Sequence, residues 1–321
     1  MSTISKFLEL HFRHFNARET LEAARGWKKH LDDGGIMFLT LAGAMSTAEL
    51  GISLARMIRE GKVHAISCTA ANLEEDIFNL VAHNDYKIVE HWRSLSADME
   101  QELYEDGFNR VTDTCIPETV FRDIEAKLLE YWQEASNSEN SQAPCEFFYR
   151  LHREGILKKI AQIPMEHSWV VAACEMGIPV YTPGVEDSTL GNIYTARVIE
   201  GKVKNHRALM TGTEQFEKLC RWYMEKQKQH SIGFFQIGGG IAGDFAICSV
   251  PCLVQDLELD VRKWGYFAQI SDSTTSYGSY SGAYPSEKIT WGKLSKDTPS
   301  YMINSDASIV APLIFAYVLG D

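Results

Sequence analysis

The segment IMFLTLAGAMSTAELGISLARMIREGKVHAISCTAANLEED, residues 36–76, carries the pattern that decides the fold. Its first part, IMFLTLAGA (36–44), is an apolar run of strand length that ends in small residues, and Ser46-Thr47-Ala48-Glu49 then predicts a helix that continues to about Gly61. The run VHAISCTAAN (63–72) repeats the strand and its small-residue turn, and Leu73-Glu74-Glu75-Asp76 predicts the start of another helix. This repetition indicates an α/β protein with a Rossmann-like, doubly wound, mainly parallel sheet.

The rest of the chain follows the same order, so a single domain over residues 1–321 is expected. A helical N-terminal segment, about 1–33, ends at the Asp-Asp-Gly-Gly run 32–35, and FRDIEAKLLEYW (121–132) places an apolar stripe on one helix face. The run SNSENSQAP (136–144) predicts a flexible loop rather than a domain boundary. Further strands are predicted within 168–184, 234–240, 266–272 and 301–319.

Polar loops follow these strands, and in a doubly wound sheet the carboxyl ends of the strands meet at a ligand-binding edge. The loops are 40–48, 68–76, 185–192, 238–245, 271–293 and 304–308. Helix starts after small-residue turns suit phosphate, but no G-x-G-x-x-G is present, so these residues alone leave a phosphate site open. Acidic residues at a helix start also suit the helix dipole, which is the expected role of two of Glu74, Glu75 and Asp76.

Composition excludes some classes of function. A net charge of −12 argues against a nucleic-acid partner and favours cationic small molecules, polyamines among them. No apolar run of about 18 residues occurs, so no membrane association and a cytoplasmic location are expected. The seven cysteines are scattered, and the spacing of Cys248 and Cys252 makes a poor zinc site, so reduced thiols and no metal are predicted.

The stretch AQISDSTTSYGSYSGAYPSEKITWGK (268–293) is the strongest candidate for chemistry. It combines glycines at 278 and 282, tyrosines at 277, 280 and 284, the carboxylate of Glu287, and Lys293 close to Trp291. A lysine against an aromatic wall can lose hydration, which lowers its pKa and favours the nucleophilic neutral amine. A surface loop that ends in an ordinary solvated lysine is the alternative reading of this pattern.

Several segments resemble deoxyhypusine synthase, over roughly residues 36–314. SGAYPSEKITWGK resembles the family's S-G-A-x-P-x-E-x-x-(S/T)-W-G-K, whose last lysine forms an enzyme–imine intermediate. The other matching segments are CTAANLEED (with Ala71 where glycine is usual), IPVYTPGVEDSTLGN, IGGG and SDASIVAPL.

The resemblance implies a homotetramer with NAD and active sites at subunit interfaces. It implies hydride transfer from the secondary amine of spermidine to NAD, capture of the butylimine by lysine with loss of diaminopropane, transfer to an acceptor amine, and reduction of the new imine. Lys293 would be the nucleophile, shielded from water by Trp291. The implied substrate-binding residues are Asp187, Asn192, Tyr280, Glu287 and Trp291, and the implied cofactor contacts are Thr47, Thr69, Ala70, Ala71, Glu75, Asp187, Gly239, Tyr277, Gly278, Asp306 and Ala307.

The chain also departs from the family pattern. Gly243, Asp244 and Phe245 stand where the family has a lysine and histidines, and Asp244 would need a raised pKa to replace a histidine as the catalytic proton acceptor. Tyr277, Tyr280 and Asn192 replace three acids, and Gly43-Ala44 replaces Ser-Asn. The lysine is retained while several residues of the implied amine pocket are substituted, which indicates a substrate different from that of deoxyhypusine synthase.

Three hypotheses follow. The first is an NAD-dependent aminoalkyl transferase that acts on a free amine, in the manner of homospermidine synthesis, with putrescine or agmatine preferred to spermidine. Tyrosine faces could stack on the agmatine guanidinium. The second is a true deoxyhypusine synthase that modifies a lysine of a translation factor. The third is a non-catalytic binder of amines or NAD.

Overall fold

A six-stranded sheet forms the centre of the protein, in a computed structural model that describes residues 3–138, 140–273 and 282–321, apart from the side chain of Asp123. The six strands are β1 (Ile36–Leu41), β2 (Ala65–Cys68), β6 (Val180–Tyr181), β7 (Ile232–Ile237), β8 (Tyr266–Ile270) and β9 (Ser300–Ile303). Their order in the sheet is β6-β2-β1-β7-β8-β9, and every neighbouring pair is parallel. The prediction of a doubly wound, mainly parallel sheet is therefore confirmed.

Strand register places like side chains in rows across the sheet. Phe38, Phe234 and Phe267 pair in register on β1, β7 and β8, and their rings stack with interplanar angles of 5° and 6°. Two residues further along the same strands, Thr40, Gln236 and Gln269 make a buried polar row on the same face. Both faces are covered, so the strands carry continuous apolar runs broken mainly by this row.

Helices cover the two faces of the sheet unequally. The helices are α1 (Thr3–His11), α2 (Phe15–Asp32), α3 (Gly51–Arg59), α4 (Ala70–Ala82), α5 (Ala97–Glu105), α6 (Arg122–Ser138), α7 (Pro144–Arg153), α8 (Ile156–Ile160), α9 (Trp169–Met176), α10 (Thr189–Ile199), α11 (Gly212–Lys226), α12 (Gly240–Ile247), α13 (Ser249–Pro251), α14 (Glu287–Thr290) and α15 (Ala307–Leu319). The larger core lies on one face of the sheet and contains residues of α2, α3, α4, α6, α7, α9 and α15. On the other face, α11, α12 and α13 cover a smaller core.

Short elements complete the chain. A small antiparallel sheet has the order β3-β5-β4, formed by β3 (Lys87–Ile88), β4 (Phe108–Val111) and β5 (Thr114–Pro117). Cys252–Asp256 form a π-helical turn after α13, and single 3-10 turns lie at His83–Asp85, Trp92–Ser94, Met165–His167 and His206–Ala208. In the described part of the chain, no helix is both long and apolar enough to span a lipid bilayer.

Several predicted boundaries are wrong because tertiary contacts replace local ones. The helix after β1 begins at Gly51 rather than Ser46, since the Ser46 amide donates to the Asn72 side chain and the Ser46 hydroxyl accepts from the Trp169 indole. Helix α4 begins at Ala70, three residues before the predicted start, because the Thr69 side chain caps it. The N-terminal segment is two helices rather than one, divided after His11.

Part of the segment 136–144, which the sequence predicts as a flexible loop, lies in regular structure. Helix α6 continues to Ser138, and Gln142 forms a parallel bridge with Leu209, where its amide donates to the Ala208 carbonyl at 2.9 Å. The stripe predicted on the preceding helix is confirmed, because Phe121, Ile124, Leu128 and Trp132 are all buried.

Candidate active site

A cavity of about 670 Å³ opens at the carboxyl edge of the sheet. The loops after β1, β2, β6, β7, β8 and β9 all contribute to it, which confirms that the polar loops converge at one edge. Its lining residues are Ala42, Gly43, Met45, Thr69, Asp187, Ile237, Gly238, Gly239, Gly240, Ile241, Ile270, Ser271, Asp272, Ser273, Ser305, Asp306 and Ala307. Five of the predicted cofactor contacts are therefore brought together: Thr69, Asp187, Gly239, Asp306 and Ala307.

Helix starts and tight turns shape this cavity. Helices α4 and α15 begin beside it, where the side chains of Thr69 and Asp306 accept hydrogen bonds from the amides of Asn72 and Ser308. Helix α12 begins at Gly240, after Gly238, whose φ is +73° and whose added Cβ would lie 3.1 Å from the Ala42 Cβ. Helix N-termini are positive ends of dipoles, so the walls of the cavity suit an anionic group.

The acidic run 74–76 separates into two structural residues and one candidate site residue. Glu74 accepts from the amides of Thr189 and Leu190 at the start of α10, and Asp76 accepts from the Ser168 hydroxyl and the amides of Trp169 and Val170 at the start of α9. Both acids are thus bound to the starts of helices other than their own. Burial raises the pKa of Glu74 to about 7 and that of Asp76 to about 6.

Glu75 is the acid of this run that turns towards the ligand-binding edge. It accepts a hydrogen bond from the Thr47 hydroxyl, and burial raises its pKa. Thr47 in turn lines a second cavity, of about 650 Å³, which shares Met45 and Asp306 with the first. Ala70 and Ala71 occupy the first turn of α4, where Ala70 is buried.

Lys293 is buried, with 1% of its surface exposed, which excludes the reading of an ordinary solvated lysine. Cys248 and Asp244 both act electrostatically on its amine, and since Cys248 lies four residues after Asp244, both act from one side of α12. Burial lowers the pKa of Lys293, which favours the neutral amine, although Cys248 and Asp244 oppose this shift. Burial also raises the pKa of Asp244 to about 6 against the opposing charges of Lys293 and Lys288.

Trp291 shields Lys293 only in part. The Lys293 Nζ lies 5.9 Å from the Trp291 ring centroid, yet 60% of Trp291 remains exposed. The main chain of Lys293 is bound from the other side, where its carbonyl accepts from the amide of the fully buried Trp264 at 3.3 Å. The enclosure of the lysine therefore depends on the packing of β8 and α12 as well as on Trp291.

The buried polar row of the sheet fixes α12, and with it Asp244. The Gln269 amide donates to the Gly238 carbonyl at 2.9 Å, and Ser67, which pairs with Thr40 in the same row, donates to the Ala242 carbonyl at 2.8 Å. Gly243 packs directly over Gln236, since an added Cβ would lie 2.5 Å from the Gln236 nitrogen. A long side chain at position 243 would therefore displace either the row or the helix.

Two residues predicted to bind the substrate, Glu287 and Asn192, do not line the cavity of about 670 Å³. Glu287 begins α14 and is exposed, and Asn192 lies on α10 and is also exposed. Tyr277, Gly278 and Tyr280 lie outside the described residues. Sequence reasoning missed Cys248 and Lys288; the spacing of four residues from Asp244 could have indicated Cys248, whereas no local pattern indicated the burial of Lys288.

Fold and site together define a doubly wound α/β protein with an anion-suited cavity at the carboxyl edge and a buried lysine that lies within electrostatic reach of a half-buried aspartate. The family model for deoxyhypusine synthase matches residues 9–318. The chain belongs to the deoxyhypusine synthase family, which is a family of enzymes.

Named relatives and a solved structure agree with this assignment. The chain is 29% identical over 300 residues to the "Deoxyhypusine synthase-like protein" of Nostoc sp., covering 91% of this chain and 74% of that protein. It is 26% identical over 307 residues to "Probable deoxyhypusine synthase 2" of Archaeoglobus fulgidus, covering 95% and 94%. The crystal structure of a candidate deoxyhypusine synthase from Entamoeba histolytica has the same fold, with a TM-score of 0.59, 13% identity, and coverage of 99% and 94%.

Proposed function

We propose that this protein is an NAD-dependent aminoalkyl transferase that acts on a free amine through an imine on Lys293. The observation that carries the proposal is the burial of Lys293 within electrostatic reach of Asp244, because such burial favours a neutral, nucleophilic amine near a proton acceptor. Lys293 also stands at the position of the family's imine-forming lysine.

The residues at the carboxyl edge fit NAD as the proposed cofactor. The starts of α4, α12 and α15 and the glycine turn 238–240 suit the pyrophosphate, and Asp306 and Asp187 offer acceptors for ribose hydroxyls. Thr47, Ala70, Ala71 and Glu75 extend this wall towards the second cavity. When bound, NAD would accept a hydride from the donor amine and return it after transfer.

Lys293 would exchange one amine for another at a single carbon. Oxidation of the donor converts its C–N bond into C=N; the neutral Nζ of Lys293 adds to that carbon, and the original amine leaves with a proton. An acceptor amine then adds to the same carbon and displaces Lys293, and reduction of the new C=N bond gives a secondary amine. Asp244, with its raised pKa, would hold the proton that the donor amine loses.

We propose a donor with fewer charges than spermidine, such as putrescine or agmatine. Asn192 stands in place of a family acid that could bind an ammonium group, and so do Tyr277 and Tyr280, outside the described residues. The same losses disfavour a lysine on a protein as the acceptor.

A homotetramer is part of the proposal. Ile241, Tyr284, Ile289 and Trp291 are large hydrophobic residues that remain exposed around the lysine, and a neighbouring subunit would cover them. Such cover would complete the exclusion of water that a lysine imine requires, since water would otherwise hydrolyse it.

The test is to incubate the protein with NAD and putrescine, agmatine or spermidine, add borohydride during turnover, and map the label by mass spectrometry. An alkylamine fragment on Lys293, absent in Lys293→Ala, is the expected result. An unlabelled Lys293, or full activity of Lys293→Ala, would overturn the proposal. Calorimetry with NAD and with each amine identifies a third outcome. A folded protein that binds neither NAD nor an amine would have another function.

A further inference from the structure

A second lysine is buried beside the proposed active site. Lys288 is 5% exposed, and its Nζ donates to the carbonyl of Ala283 at 3.1 Å and lies 5.1 Å from the ring centroid of Phe267. It is held to Lys293 through the main chain, because the Lys293 amide donates to the Lys288 carbonyl at 3.0 Å. The turn that presents Lys293 therefore also places Lys288 inside the protein.

Lys288 and Lys293 both act on the carboxylate of Asp244. Asp244 lies within the electrostatic reach of both ammonium groups, and Lys288 in turn lies within that of Asp244 and Glu287. Lys293 has to be neutral when it attacks a carbon, so it cannot neutralise Asp244 at that stage. Lys288 carries no such requirement: burial lowers its pKa, but the charges of Asp244 and Glu287 oppose that shift and favour the cation.

The burial of Lys288 has a cost that packing alone does not explain. Moving an ammonium group out of water is unfavourable unless an acid compensates it, and an apolar side chain of similar length would fill the same space without that cost. The ammonium group of Lys288, buried within reach of the Asp244 carboxylate, makes the same kind of interaction that an ammonium group of a substrate could make there.

We propose that the ammonium group of Lys288, buried next to the turn that presents Lys293, takes the place of a substrate cation near Asp244, and so restricts the site to donors with two positive charges. This inference rests on the proposed function, because it concerns which amine the transferase accepts. A donor with three charges would bring its additional ammonium towards Lys288, where like charges repel at short range with little water between them. Putrescine and agmatine carry two charges, and spermidine carries three.

The experiment compares kcat/KM for putrescine, agmatine and spermidine in the native protein, Lys288→Met and Lys288→Arg. Methionine keeps much of the length of lysine without its charge, whereas arginine keeps the charge. We expect Lys288→Met to raise the ratio of kcat/KM for spermidine to that for putrescine by about tenfold or more, which is the effect of one charge-assisted hydrogen bond gained and one repulsion lost. Lys288→Arg should keep a ratio close to that of the native protein.

Competition in the native protein gives a test that does not depend on the folding of a variant. Spermidine should inhibit turnover of putrescine only at concentrations well above the KM for putrescine. An unchanged ratio in Lys288→Met, or tighter binding of spermidine than of putrescine by the native protein, would overturn the inference while turnover and the label on Lys293 remain. A native protein that shows neither turnover nor label would instead contradict the proposed function.

Discussion

Lys293 lies close enough to Cys248 for each group to affect the pKa of the other. Cys248 follows Asp244 by one turn at the end of α12, so a thiol and a carboxylate approach the lysine from the same helix face. Burial raises the pKa of Cys248, so the thiol is neutral near pH 7 and does not form an ion pair with the lysine. The nucleophile therefore has a neighbour that adds no charge to the site.

A larger side chain at position 248 should therefore stop catalysis. We expect Cys248→Met to lose most of its activity, because the longer side chain would occupy space next to the Lys293 Nζ. Cys248→Ser, which keeps the size of the native side chain, should remain active. Cys174→Met enlarges another half-buried cysteine position far along the chain and should also remain active; full activity of Cys248→Met, or an equal loss in Cys174→Met, would place the effect elsewhere.

Asp244 should control the acidic limb of the pH profile. Its pKa is raised to about 6, so the carboxylate accepts a proton above that pH and is already protonated below it. We expect kcat/KM to fall as the pH decreases through about 6, and Asp244→Asn to reduce the rate by about 10²–10⁴-fold with loss of this limb. Asp244→Glu, which keeps the carboxylate, is the control. A profile that is the same in Asp244→Asn as in the native protein would exclude Asp244 as the proton acceptor.

Glu74 should make stability depend on pH. Burial raises its pKa from 4.5 to about 7, so the folded protein holds a proton that the unfolded chain has released between these values. The free energy of unfolding should therefore decrease as the pH rises from about 4.5 to 7. Glu74→Gln cannot ionise and should reduce this slope in urea titrations, leaving the part due to Glu75, Asp76 and Asp244, whose pKa values are also raised. Glu90→Gln at an exposed position should leave the slope unchanged. An equal slope in Glu74→Gln would assign the pH dependence to other groups.

Gly191 should be required for the loop that carries Asp187. An added Cβ at Gly191 would lie 2.1 Å from the carbonyl oxygen of Val185, and a main-chain atom cannot rotate away as a side chain can. We expect Gly191→Ala to lower the free energy of unfolding by about 1–3 kcal/mol and to weaken NAD binding in calorimetry. Gly212→Ala is the matched control, because Gly212 also lies in a helix but has open space around it. Similar losses in both variants would mean that the contact with Val185 is not the cause.

Much of the fold could be predicted from the sequence. Strands of a parallel sheet buried on both faces read as continuous apolar runs, and small residues mark where each run ends, so IMFLTLAGA and FFQIGGG identify β1 and β7 and their turns. Parallel strands place their carboxyl ends at one edge, which is why Thr69, Asp187 and Asp306 could be expected together from the sequence.

Local patterns were less reliable for polar residues whose partners are distant in the chain. Ser46 has the sequence of a helix cap, yet Asn72 and Trp169 bind it instead. Glu74 and Asp76 look like acids at the start of their own helix, but they cap α10 and α9, more than 90 residues away. A hydrogen bond to a distant amide leaves no periodic signal in the sequence, because its partner is chosen by packing.

The sequence by itself determined the sheet, the edge where its loops meet, and the lysine that closes the W-G-K motif. Only the tertiary structure decided the surroundings of that lysine: that Cys248 lies near it, that Asp244 has a raised pKa, and that Lys288 is buried within reach of the same carboxylate. The physical reason is that the pKa of an ionisable group depends on how much water it loses and on which charges surround it. Both depend on the packing of α12 and α14 against the sheet, which is established only when the whole chain has folded.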